Sequence, residues 1–477
     1  MEQKPEIKFS KNIKFYIIFF LKLLIMLNNI EKIQSNPIKS AVSLSVPIII
    51  LLILDAVYSI SDTYWISGLG FSAIAAIGYI ANVVYASNKI GDGIGRAVNV
   101  IVSNQLGAKN YETANNIAVH GIILILIIGI ITPPLSIPFI EMICELAGIG
   151  IYSDMIYSYL LMPISFIVFF MISNYFAAVM GGEGDTKRST AIILVGSIIN
   201  IVLDPIFIFN FDMGMFGAGL ASTAGFLVSF LLFLYIFYYR QDTFIKIDLK
   251  HFDYDKSLFI EIIKLAIPIV LNGMILAFIG IIINYGLHHY ASVYAVAAYV
   301  ILLKIQSTAY SPMRGLSKGL CIVVGHLNGA KRFKVLKNTI KKIIIINFAY
   351  ALILGMLLIV LNPYFLSIFT DDLSVMAEAG GFMVLVVFFL ITYSFIMPCT
   401  NVFIGLEKSS YSFYFILLDV IVSASFMLLF SIIFDWGGFG VIFAVVLSET
   451  ILATMMLALM RYKINVKIQN DCVESIE

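Results

Sequence analysis

Long apolar runs separated by short polar breaks dominate this chain. They lie near residues 44–67, 72–104, 114–140, 155–180, 189–210, 217–239, 261–287, 293–325, 339–362, 380–404, 411–434 and 440–460. At about 1.5 Å of rise per residue, each can cross the ~30 Å hydrocarbon layer of a bilayer as a helix. Backbone groups cannot stay unpaired in lipid, and runs of this length exceed what a barrel strand needs, so helices are the only viable elements. The predicted fold class is all-α, a polytopic membrane protein with twelve transmembrane helices in two pseudo-symmetric six-helix bundles.

Composition agrees with the pattern. Of 477 residues, 61% are hydrophobic and only 12% charged, with a mean hydropathy of +0.99, whereas soluble domains carry roughly 25% charge. No water-soluble fold could hide that much apolar surface. The net charge of +1 conceals an uneven distribution. Lys109, Lys187, Arg188, Arg240, Lys246, Lys250, Lys331, Arg332, Lys337, Lys408, Arg461 and Lys467 fall on one side with the basic N-terminus, while the opposite loops carry acids such as Glu141, Asp212, Asp371, Glu378 and Asp435 and no Lys or Arg. Both termini are therefore expected in the cytoplasm, with the chain spanning the inner (plasma) membrane. The expected partners are a small organic substrate and membrane lipid; nucleic acid is not expected, and the chain is expected to be a monomer.

Cys144, Cys321, Cys399 and Cys472 lack any paired spacing, so neither a disulfide framework nor a zinc site is indicated. His288 and His289 are adjacent rather than spaced to share a helical face. Residues 15–30 are apolar but short, interrupted by Lys22 and followed by no small-residue cleavage site, so a signal peptide is not expected. They are either a membrane-surface helix or a leader preceding a true start at Met26.

The two bundles are expected from an internal repeat at an offset of 221–223 residues. LSVPIII at Leu44–Ile50 answers to LAIPIVL at Leu265–Leu271, QLGAKN at Gln105–Asn110 to LNGAKR at Leu327–Arg332, and FDMGMFG at Phe211–Gly217 to FDWGGFG at Phe434–Gly440. The expected division is an N-terminal extension over 1–35, an N-lobe over 36–240, a cytoplasmic linker over 241–258, a C-lobe over 259–465 and a cytoplasmic tail over 466–477. Six helices per half is an even number, so both halves enter the membrane from the same side and are related by an axis along its normal, leaving a central cleft. The polar linker suits either a hinge between moving bundles or a passive tether.

Ionisable residues inside the runs are the best pointers to chemistry, since one carboxylate at mid-membrane costs about 2.5–3.5 kcal/mol on insertion scales. Asp55, Tyr58 and Asp62 on the first helix are spaced i, i+3, i+7 and share a face, as do Ser197, Asn200 and Asp204 on the fifth. If the faces meet, Asp62, Asn200 and Asp204 make an oxygen-rich pocket. Two carboxylates there repel in low dielectric, so a proton on one or a hard cation such as Na⁺ between them is required. Pro205 lacks an N–H and frees the carbonyl of Ile201 as a further oxygen, and Pro47 permits bending of the first helix. In the second half the positions equivalent to Asp62 and Asp204 are Asn284 and Met427, which biases ion chemistry to the first. Lys304, Asp419 and Glu449 also lie in runs, where a Lys304–acid pair would be a neutral strut. Lys89, Asp92 and Arg96, with Arg314 and Lys318, are expected to face the cleft or the cytoplasmic vestibule. No nucleophile–base or metal constellation indicates an enzyme.

SISDTYWISGLG at Ser59–Gly70, GGEGD at Gly181–Asp185 and NIVLDPIFIF at Asn200–Phe209 resemble the multidrug and toxic compound extrusion (MATE) transporters, and the likeness runs from about Asn36 to Asn465. It looks closest to the DinF-like branch. The resemblance implies antiport of amphipathic, often cationic, organic compounds against Na⁺ or H⁺, with no cofactor. It also implies that Asp62 and Asp204 are the coupling carboxylates and that Tyr58, Asn174, Asn200 and Ser222 support them, Ser222 standing where relatives often have Thr and Ala177 where some have Asn. Asp55 is an unusual addition. A lipid-linked oligosaccharide flippase or an exporter of an endogenous metabolite, both within the wider superfamily, are the alternatives: many exposed basic residues in the cleft would favour a pyrophosphate-linked lipid, whereas the acidic pair favours cations.

Overall fold

The computed structural model describes residues 30–146, 149–247 and 252–474. The apolar stretch of the N-terminal extension and the choice between Met1 and Met26 fall outside them. Among the described residues nine helices are long and apolar enough to cross a membrane, and Gly150–Ser165 with Ile167–Gly182 makes a tenth span bent by 52°. In chain order the spans are 1 (Pro37–Ser67), 2 (Phe71–Gly107), 3 (Tyr111–Glu145), 4 (the bent pair), 5 (Thr186–Asn210) and 6 (Gly214–Arg240), then 7 (Lys256–Tyr290), 8 (Val293–Gly329), 9 (Phe333–Val360), 10 (Leu373–Gly405), 11 (Ser409–Ile433) and 12 (Gly437–Glu474). Spans 2 and 8 complete the twelve. Each is 37 residues long and carries charge, with Lys89, Asp92 and Arg96 on one and Lys304, Arg314 and Lys318 on the other. Charged residues in a span turn toward protein or water rather than lipid, and both helices lie at the centre of the molecule, where span 8 packs against spans 1, 2 and 10 and span 2 against span 7.

The duplication is visible in the backbone. Left-handed residues recur at the repeat offset: Lys109 (φ 64°) with Lys331 (φ 53°), Asp212 (φ 54°) with Asp435 (φ 56°), and Gly214 with Gly437, both at φ 53°. Two of the three repeated sequence motifs are thus turns that stop one helix and start the next, while the first lies inside spans 1 and 7. Spans 5 and 11 both end in a π-helical turn, Ile206–Asn210 and Leu429–Ile433. Pro205 precedes the first and Leu428 the second, so the widened turn belongs to the duplicated scaffold and does not require the proline.

The lobes meet tightly at the ends where span 1 begins and span 12 finishes, and glycine permits it. A Cβ on Gly107 would stand 2.2 Å from the carbonyl oxygen of His326, and one on Gly329 would stand 1.9 Å from that of Asn104. The two contacts are exchanged by the repeat offset, so the pseudo-two-fold axis runs between spans 2 and 8 here. Hydrogen bonds lock the crossing: Asn104 Nδ2 donates to Glu407 Oε1 at 2.5 Å, Asn328 Nδ2 to Asn104 Oδ1 at 3.1 Å and Lys467 Nζ to Asn328 Oδ1 at 2.7 Å. Toward the other face the lobes part. Between Ile48 and Ser61 no residue of span 1 is buried although its helix is continuous, so this stretch has lipid on one side and the inter-lobe cleft on the other.

The linker is a strap. Glu183 accepts the backbone N–H groups of Phe244 (3.0 Å) and Ile245 (2.7 Å), Asn115 accepts that of Lys246 (2.9 Å), and His120 Nε2 accepts that of Asp255 (2.9 Å) while its ring packs among Phe252, Tyr254 and Phe259. Arg188 and Arg240 both pair with Asp242. The hydrogen-bonding and ion-pairing anchors are all N-lobe residues, so the described part of the linker is strapped to that lobe. Burial pushes the Glu183 carboxyl up to about 7, against the lowering effect of its two N–H donors. A carboxyl raised on folding favours the native state below its unfolded value, and that contribution is lost as pH rises through about 7. Thermal stability is therefore expected to decline between pH 5 and 8, and Glu183→Gln to flatten that decline; an unaltered slope in the variant refutes the assignment.

Candidate functional site

The site is built around span 6, whose sequence GAGLASTAG at Gly217–Gly225 alternates small residues with hydroxyls. Small residues let helices approach closely in a bilayer, where no hydrophobic drive pulls them together. A Cβ on Gly196 of span 5 would stand 2.0 Å from Ser229 Oγ and 2.6 Å from the carbonyl oxygen of Gly225; one on Gly219 would stand 2.1 Å from the carbonyl oxygen of Tyr159 in span 4. Ser222 lies between these two crossings and is held within reach of both neighbours. It accepts from Asn200 Nδ2 at 3.2 Å and stands 3.3 Å from the hydroxyl of Tyr58 on span 1.

The two carboxylates close on this hub. Asn200 Nδ2 reaches Asp204 Oδ1 at 3.5 Å, and the Tyr159 hydroxyl donates to Asp62 Oδ2 at 3.4 Å. Asp62 and Asp204 lie within each other's field, and Asp204 and Asn200 are 0% and 2% exposed. The remaining oxygen of each, Asp62 Oδ1, Asp204 Oδ2 and Asn200 Oδ1, is buried and has no hydrogen-bond partner in the protein. Buried acceptors are almost always paired. These three orphaned oxygens are groups that could hold a hard cation, or a proton on one carboxyl. Asp62 stands five residues from the C-terminal end of span 1 and Asp204 six from that of span 5, roughly 8–9 Å deep at helical rise. A cavity of about 40 Å³ adjoins the hub, lined by Tyr58, Asn88, Tyr159 and Ser222 with Phe170 and Phe226; it has room for a water or a small ion.

The sequence profile of the MatE family matches residues 47–206 and again 268–429, once in each lobe. This chain belongs to the MatE family. Like that family, it is a membrane transporter and not an enzyme. Among its curated relatives is the multidrug export protein MepA of Staphylococcus aureus (strain N315), 25% identical over 354 residues that cover 72% of this chain and 77% of that protein. Solved MATE structures share its fold. One in the bent conformation superposes with a TM-score of 0.89 at 23% identity, covering 93% of this chain and 99% of that one. An outward-facing multidrug resistance MATE transporter of the MOP superfamily gives 0.88 at 23%, covering 92% and 99%.

Other expected members of this MatE site lie elsewhere. Asn174 donates to the Phe170 carbonyl of its own helix at 3.1 Å and, with Ala177, lines an inter-lobe cavity beside Asp92 and Arg96. It is not in the carboxylate network. Asp55 is exposed toward the cleft, in the field of Lys318 and Lys89. Pro47 is buried within an unbroken span 1. Tyr159, which the sequence reading did not single out, is the residue that holds Asp62. Its place depends on the Gly219 contact, and the only local signal is its position in a tyrosine- and serine-rich outer half of span 4.

The C-lobe repeats the scaffold with different chemistry. At the offset of Gly196 and Gly225 stand Asp419 and Ser448, and where the glycines touch in the N-lobe, Ser448 Oγ donates to Asp419 Oδ1 at 2.5 Å. Ser423, at the offset of Asn200, also reaches Asp419 at 3.3 Å, and Glu449 accepts from Thr392 at 3.4 Å. Asp419 is thereby a packing contact satisfied by hydroxyls. No ion pair joins Lys304 to an acid among the described residues, so the expected strut is not formed. The Asn284 side chain lies outside the described residues.

Proposed function

We propose that this chain is a secondary antiporter of the DinF-like branch, exporting amphipathic organic compounds across the plasma membrane by alternating access in exchange for Na⁺ or H⁺. The observation that carries this reading is the set of three partnerless buried oxygens on Asp62, Asn200 and Asp204, set within two turns of the ends of spans 1 and 5 that lie opposite the tight crossing of spans 2 and 8. The cation enters from outside and neutralises the pair. Span 1, which supplies both Asp62 and Tyr58, then repacks against spans 5 and 6, the outer cleft closes, and the cytoplasmic crossing parts to admit cargo. Because the linker is strapped to the N-lobe, the moving joint lies beyond it, at the start of span 7. Multidrug export by the MepA relatives supports an organic cargo, and the positions of the basic residues support cytoplasmic termini. In proteoliposomes holding the purified chain, dye movement should stop when one of the Na⁺ and H⁺ gradients is collapsed and persist when the other is. Movement indifferent to both would establish a passive pore instead.

A further inference from the structure

The floor of the cleft is basic. Span 8 turns Lys304, Ser307, Thr308, Ser311, Arg314 and Lys318 to one side at helical spacing, with Lys304, Ser307, Thr308 and Arg314 exposed. Lys318 at its lower end lies in the field of Asp92, Arg96 and Lys89 of span 2, so the stripe faces the N-lobe across the cleft. Arg314 is braced by its Nε–H donating to the Tyr393 hydroxyl at 2.9 Å, and Tyr393 in turn stacks on Tyr310 with ring centroids 3.7 Å apart. Arg96 donates across the lobes to Asn401 Oδ1 at 3.0 Å. Below them an inter-lobe cavity of about 160 Å³ is lined by Arg96, Lys318, Asp92, Asn99, Asn174 and Asn401, where donors outnumber the one carboxylate. Four cations, Lys89, Arg96, Arg314 and Lys318, thus share this floor with two acids, Asp55 and Asp92, and Lys304 adds a fifth cation above. Glu449 lies toward Tyr299 and Tyr310, the latter one turn from Arg314, and is a third acid beside the stripe.

Resting on the antiport reading, we propose that the cargo carries an acidic group, a carboxylate, sulfonate or phosphate, which seats between Arg96 and Lys318 while its apolar part lies along the cleft. Resemblance alone suggests cationic compounds, but the acids in the cleft, Asp55 and Asp92, are outnumbered by its cations, and the coupling pair is sequestered in the N-lobe. The charges that line the cleft are mostly of the opposite sign, and a water-filled cleft with low-dielectric walls focuses their field on an incoming anion. Export of an anion and entry of a cation both carry positive charge inward, so an inside-negative potential accelerates the exchange.

The test uses the purified full chain and two xanthene dyes of similar size, anionic fluorescein and cationic rhodamine 6G. Fluorescein should bind at least tenfold more tightly. Lys318→Gln and, separately, the exposed Lys304→Gln should weaken it, whereas Asp92→Asn should tighten it; opposite shifts at one site are not produced by loss of packing. Tighter binding of rhodamine 6G, or dye affinities indifferent to all three substitutions, would overturn the proposal. Displacement of fluorescein by inorganic pyrophosphate assigns the floor to soluble anions, displacement by dodecyl phosphate alone assigns it to a lipid-borne headgroup, and either supports an acidic cargo. Fluorescein bound in this pattern but moved by no ion gradient leaves the anion site standing and removes the antiport reading. Gradient-driven export of rhodamine 6G without fluorescein binding does the reverse.

Discussion

Asp62→Asn and Asp204→Asn are each expected to reduce ion-driven export at least 100-fold while the protein still inserts and folds. The substitution is isosteric, so the contacts from Tyr159 and Asn200 keep their geometry; what is lost is one of the two charges facing three orphaned oxygens. A charge-assisted contact in a dry pocket contributes about 1.5–3 kcal/mol, which alone accounts for one to two decades in ion affinity. Coupling removes the rest, because an ion that binds both conformations equally drives nothing. The two coupling ions predict different residues of activity. An asparagine still offers an oxygen to Na⁺, so a sodium-coupled variant should recover part of its rate at high external Na⁺. A proton carrier has no such recourse and stays inactive at every pH. The measurement is initial-rate antiport in proteoliposomes, and undiminished exchange by both variants would dismiss the site.

How much of this was legible in the sequence follows from which contacts are local. Span number, and the sharing of faces by Tyr58 with Asp62 and by Asn200 with Asp204, depend only on apolar runs and helical periodicity, and the structure reproduces them. The meeting of those faces is not local. It depends on the glycines of span 6, whose partners Tyr159, Phe207 and Gly196 lie 10 to 60 residues away, and no helical pattern announces which backbone a glycine will touch. Tyr159 was missed for that reason, and Asn174, which the resemblance implied as a support for the carboxylates, lines the inter-lobe cavity beyond the 52° bend in span 4. The GGEGD motif shows a further limit: Glu183 and Asp185 look chemical in sequence, yet one holds the linker and the other caps span 5 by accepting from the Arg188 N–H. Polar residues at helix ends commonly do such work.

Gly329→Ala is expected to be nearly as damaging as loss of a coupling carboxylate, although it adds one methyl group far from the ion site. The new Cβ would stand 1.9 Å from the Asn104 carbonyl oxygen, against the roughly 3.3–3.6 Å of an ordinary C···O contact. The obstacle is backbone within a helix, which cannot rotate away as a side chain would, so spans 2 and 8 must separate by more than 1 Å. That displacement strains the Asn104–Glu407 and Asn328–Asn104 hydrogen bonds that join the lobes at this crossing. Since packed interfaces switch between discrete arrangements rather than stretch, the outcome is a population shift toward the inward-open state. Gly107→Ala, its symmetry mate over His326, should act in the same direction. With the native cysteines replaced by serine and a single cysteine placed at Ser103, beside Gly325 on the pseudo-two-fold axis, a membrane-impermeant thiol reagent added from the cytoplasmic side should label the glycine variants at least tenfold faster than the parent. Transport should fall by a comparable factor, while insertion stays normal and Na⁺ or H⁺ still protects a cysteine near Asp62. Equal labelling with intact transport would mean that the crossing of spans 2 and 8 is not the cytoplasmic gate.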